Sequence, residues 1–124
     1  MAKYSQLNRD QKTRYWELFH QTCNTLRFAI IDLKVAAAGA DRSSEASAIL
    51  AENLRLEAEL ALLESHSFAV SSDSAAISPP SAGDVSKVTE LAQQVDVMTA
   101  DAETFRGVVA LADQAVQTYN QARA

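Results

Sequence analysis

With 124 residues, 48% of them hydrophobic and 22% charged, the chain has the size and balance of one globular domain. Its longest apolar run, 28–38, is broken by Asp32 and Lys34 and is too short to cross a bilayer, and the basic N-terminus is not followed by the apolar stretch of a secretory signal. A single cysteine, Cys23, excludes an internal disulfide framework and a multi-cysteine zinc site, so a cytoplasmic protein is expected.

The net charge of −5 is unevenly placed: residues 1–34 carry six Lys/Arg against three acids, giving +3, and the other ninety carry five against thirteen, giving −8. Such asymmetry steers charged partners and orients helices against one another. Three glycines and two prolines are few for so long a chain, and abundant Ala, Leu, Glu and Gln favour helix over strand.

The first predicted helix covers about 8–38. Asn8 and Gln11 have the spacing of a capping box, and from Trp16 an apolar seam runs through Phe19, Cys23, Leu26, Ile30, Leu33 and Ala37 in alternating threes and fours. Gly39 is expected to stop it, because glycine accepts the left-handed conformation that often ends a helix. The connection to the next helix is short, which predicts an antiparallel hairpin. Helix two is expected over about 44–65, with a seam of Ala46, Ile49, Asn53, Leu56, Leu60 and Leu63. Asn53 is its one polar member, expected at the edge of the packed face in contact with water.

Residues 66–83 read as a flexible Ser/Ala/Pro connector ending in Pro79-Pro80, with Phe68, Val70 and Ile77 available to tuck back onto the helices. A long third helix is then predicted over about 84–121. Its stripe is Val88, Leu91, Val95, Met98, Ala102, Phe105, Val109, Ala112, Val116 and Tyr119. Gly107 falls opposite that stripe, where a local bend is tolerated. The expected fold is therefore all-α: an antiparallel hairpin plus a long third helix in a three-helix, coiled-coil-like bundle.

Helices one and two carry apolar rows beyond their seams. Phe28, Ile31 and Val35 lie on helix one; Leu50, Leu54, Ala58 and Ala61 lie on helix two. Three helices around one core leave such rows uncovered, and uncovered apolar rows mark an interface. The expectation is that a second copy of the chain, giving a homodimer, or another protein covers them.

Chemistry is harder to find in the sequence. Glu17 and His20 form one E-x-x-H pair, but a carboxylate-bridged di-metal bundle needs two such pairs and two further glutamates. His66 is expected to meet the last carbonyls of helix two. No nucleophile elbow or glycine-rich phosphate loop is present. Lys3, Arg9, Lys12 and Arg14 interleave with Tyr4, Tyr15 and Trp16, a pattern able to contact nucleic acid. Four cations are few for that purpose, and docking on an acidic protein surface suits them better. The expected function is a small non-catalytic interaction protein (adaptor, regulator or inhibitor) without cofactor or metal. Its partner-binding residues are Phe28, Ile31, Val35, Leu50, Leu54, Arg9, Lys12 and Arg14. The alternatives are a carboxylate/His metal-binding bundle enzyme and a nucleic-acid-associated protein.

Overall fold

The computed structural model of the chain describes residues 1–123. Within them the order is β1 (Ala2–Lys3), α1 (Arg9–Ala38), α2 (Ser43–Ser71), β2 (Ala76–Ile77), α3 (Ala82–Val97) and α4 (Phe105–Asn120). The protein is mostly helical, with a two-stranded sheet at one end.

Local chemistry starts α1 where the sequence indicates. Asn8 Oδ1 accepts from the Gln11 amide at 2.8 Å, and Gln11 Oε1 accepts from the Asn8 amide at 2.9 Å. Gly39 ends the helix, but at φ −92°, so its left-handed freedom is not used. At α2 the sequence expectation stops too early, because the helix runs to Ser71 rather than to 65. Its seam continues in phase through Ser67 and Val70, both buried. Ser67 hides that continuation by being polar; its hydroxyl is satisfied by the Glu64 carbonyl at 2.8 Å. Asn53, expected at a wet edge, is instead buried, its Nδ2 donating to Glu57 Oε1 at 3.2 Å.

The remainder of the connector is folded. β2 pairs antiparallel with β1, Ile77 opposite Ala2, and the Ser78 amide donates to the Ala122 carbonyl at 2.8 Å. Asp73, at φ 60°, turns the chain toward this ladder and accepts the Ser5 amide at 2.9 Å. Ile77 and Val70 are fully buried, whereas Phe68 points to solvent.

The main departure from the sequence expectation is the third helix. The single helix predicted over 84–121 is two helices, α3 and α4, separated by a break at residues 98–104. The cause lies at Asp101 rather than at Gly107. Asp101 Oδ1 accepts the amides of Glu103 and Thr104 at 2.8 and 2.9 Å, and the Asp101 amide donates to Thr104 Oγ1 at 3.0 Å. This reciprocal cap opens a new helix and competes with continuation of the old one.

Helix directions follow from contacts at known positions. Arg27–Glu64 and Lys34–Glu57 set α2 antiparallel to α1. Arg14 donates to the Pro80 carbonyl just before α3, while Asp32 and Asp96 share a pocket farther along, so α3 runs parallel to α1. Tyr119, near the end of α4, meets Tyr15, near the start of α1, so α4 runs back. α1 packs against all three other helices; α4 lies along α3 and meets α2 sparsely. The core they enclose includes Leu18, Leu26, Leu33, Ile49, Leu56, Leu63, Val88 and Val95, all but fully buried.

Candidate docking face

At about 3.6 residues per turn, Ile31 falls at the centre of the exposed arc of α1. Arg27 and Lys34 lie on the flank toward α2, paired with Glu64 at 3.4 Å and Glu57 at 3.3 Å. Phe28 and Asp32 lie on the other flank, toward α3. The same geometry places Leu50, Leu54, Ala61 and Phe68 on the side of α2 next to those ion pairs. The hairpin thus presents one outward face, opposite α4, crossed by two ion pairs.

Its apolar members are open to solvent: Ile31 is 58% exposed, Val35 63%, Leu50 43% and Leu54 65%. Phe28 is half-buried and packs on the edge of the core. Of the five apolar residues singled out in the sequence, the structure brings all to this side of the hairpin. Phe68, read from the sequence as a connector residue able to tuck back onto the helices, instead lies in α2 on this same side, open to solvent.

On the α3 flank an open pocket of about 230 Å³ is lined by Phe28, Ile31, Asp32, Val95 and Asp96. Asp32 Oδ2 has no solvent contact and no hydrogen-bond partner among the described residues. Burial, and then the neighbouring charge of Asp96, raise the Asp32 carboxyl above the usual aspartate value. In the sequence Asp32 stands only as an acid interrupting an apolar run, with no sign that Asp96 lies beside it.

The basic residues lie elsewhere. Arg9, Lys12 and Arg14 occupy the first turns of α1, some 25 Å or more from Ile31 at about 1.5 Å per residue. Arg14 Nε donates to the Pro80 carbonyl at 3.0 Å, and Lys12 Nζ stands 5.0 Å from the Tyr4 ring centroid. Trp16, in phase with the core, donates its indole N–H to Tyr4 Oη at 2.8 Å. Lys12, Arg14 and the aromatics Tyr4, Tyr15 and Trp16 are therefore engaged within the chain, and this patch is separate from the apolar face.

Of the groups with chemical potential, Cys23, His66 and two tyrosines are engaged internally. Cys23 is fully buried at its seam position, and burial pushes its thiol up to about 11, so little thiolate forms at neutral pH. Glu17 and His20 are exposed on α1, and no group of three His, Cys, Asp or Glu able to hold a metal occurs among the described residues. His66 does not cap α2 as expected; its Nδ1 lies 2.7 Å from Tyr119 Oη, which lies 2.7 Å from Tyr15 Oη. Both phenols are fully buried. All three groups are satisfied when Tyr15 donates to Tyr119 and Tyr119 donates to a neutral His66. Burial pushes the Tyr119 phenol up to about 12, and burial chiefly lowers the His66 pKa, which favours that neutral form. Sequence periodicity placed Tyr119 in the core but gave no sign that Tyr15 and His66 converge on it.

Comparison with protein-family models, with curated proteins and with solved structures returns no match to this chain.

Proposed function

We propose that this protein is a non-catalytic interaction module, an adaptor, regulator or inhibitor working in the cytoplasm, whose outward α1–α2 face docks on another protein. The observation that carries this assignment is the concentration of exposed aliphatic side chains, Ile31, Val35, Leu50 and Leu54, on one side of a hairpin whose other side forms the core. Apolar surface gathered on one face supplies affinity when it is removed from water, about 25 cal/mol per Å². The internal engagement of Cys23, His66 and the tyrosines favours a structural use of those groups. A second copy of the chain is the other occupant such a face can take.

The test is capture from the native host with the full chain and with a folded Ile31→Ser, Val35→Ser double variant, its helicity checked by circular dichroism. The expected outcome is a specifically bound protein that the variant loses. An unchanged set of captured proteins refutes the assignment. Light scattering across concentration separates a heterologous partner from a dimer: a mass that rises with concentration, and falls in the variant, identifies the second copy.

A further inference from the structure

The pocket between α1 and α3 adds chemistry to the docking face. It holds two carboxylates, Asp32 and Asp96, within walls made by Phe28, Ile31 and Val95. No ion pair with either is formed among the described residues. The nearest cations on α1, Arg27 and Lys34, lie on its opposite flank, occupied by Glu64 and Glu57. Asp32 Oδ2 meets no donor among the described residues and has no water-accessible surface. That oxygen is closed to an incoming group as well as to water, so a cation entering the open side of the pocket is drawn by the exposed Asp96 carboxylate and the rest of the Asp32 carboxyl, which accept strong, directional bonds from a charged donor.

Resting on the interaction function above, we infer that this pocket receives a Lys or Arg side chain from an amphipathic basic helix of a partner protein, whose aliphatic residues cover Ile31 and Val35. Apolar walls suit the methylene stem of either side chain. From Phe28 to Val35 the exposed arc extends along α1 for about 10 Å, roughly two turns of a docking helix reading out i, i+3, i+4 and i+7 positions. The −8 charge of residues 35–124 attracts a basic partner before contact. A second copy fits less well, because its matching face brings two more carboxylates and cations already paired. Charge thus selects the occupant, and apolar area holds it.

The experiment uses the isotope-labelled full chain and two probes. One is an alanine-rich helical peptide with leucines at i, i+4 and i+7 and a single arginine at i+3. The other carries citrulline in place of that arginine, keeping its shape and losing its charge. The arginine peptide is expected to shift amide resonances at residues 28–35 and 95–97 and to bind about tenfold more tightly than the citrulline peptide, a preference that weakens with added salt. The D32N/D96N variant, checked for helicity, is expected to bind both peptides alike, while I31S/V35S weakens both. Equal affinity of the two peptides for the native chain overturns the inference, as does a preference that survives in D32N/D96N. A concentration-dependent dimer closing the same face overturns it as well. If both peptides bind equally through Ile31 and Val35, the interaction function stands and the cation pocket falls. If neither reaches the face and the double-serine variant keeps every host protein, both fall.

Discussion

His66 shows how a single position couples packing to pH. Its folded-state pKa is lowered by burial, with the charge of Arg123 adding to the effect, so the unfolded chain takes up a proton more readily than the folded one. The stabilising contribution is complete above the unfolded value of about 6.5 and is lost as pH falls through it toward the lower folded value. Protonation also turns Nδ1 into a donor facing the Tyr119 hydroxyl, which forces the Tyr15–Tyr119–His66 chain to rearrange. Urea unfolding at pH 7.5 and at pH 5 is therefore expected to give a lower midpoint at the acid value. His66→Phe is expected to remove most of that difference; an equal acid loss in the variant refutes the assignment to His66. None of this was legible from sequence, where His66 stands among serines near a helix end. The partner that defines its role is 53 positions away in the chain.

At the level of elements, periodicity located what is buried better than it located where helices end. Val88, Leu91 and Val95, then Phe105, Val109, Ala112, Val116 and Tyr119, are all buried as the stripe requires, yet they belong to two antiparallel helices. Met98 and Ala102 keep the spacing across the break because a half-buried residue of either size fits a loop as well as a seam. The competing signal was Asp101 with Thr104 three residues on, a capping pair inside an uninterrupted apolar period. Ser67 misled in the other direction, ending the visible seam of α2 while its helix continued. The apolar face was legible because it needs only helical spacing; the Asp32–Asp96 pocket was not, because it joins α1 to α3. Asp101→Ala removes the acceptor for two amides and one hydroxyl. It is expected to lower the thermal midpoint and to speed hydrogen exchange at Glu103 and Thr104; unchanged exchange there shows that the cap does not hold the break.

On the scale of the whole molecule, the ends of the chain and the connector are joined into one closure. β2 lies against β1 on one side, and its neighbour Ser78 bonds Ala122 on the other, which brings residues near both ends onto the same short strand. Arg55 fastens α2 to α4 with two bonds to Asp113, at 2.9 and 3.1 Å, where the direct packing of those helices is sparse. Such an exposed ion pair contributes at most about 1 kcal/mol, so position matters more than energy there. The apolar contacts that bind the helices into one body run mainly through α1.

That placement of α1 has a consequence for cooperativity. Every large helix interface except the one between α3 and α4 has α1 as one of its sides. A subset of the chain that omits it keeps only the α3–α4 interface and the sparse α2–α4 contact, so freeing α1 dismantles most of the packing. Amides in the middle of α1, around Thr22 to Leu33, are expected to exchange only through global unfolding, with a denaturant dependence equal to that of the whole protein, while α2 and α4 open locally at lower cost. Faster, denaturant-independent exchange in α1 rules this out. The helix that carries the proposed docking arc on one side is, on its other side, the axle on which the fold turns as a single unit. A partner bound at Ile31 and Val35 therefore stabilises the entire chain rather than one hairpin of it.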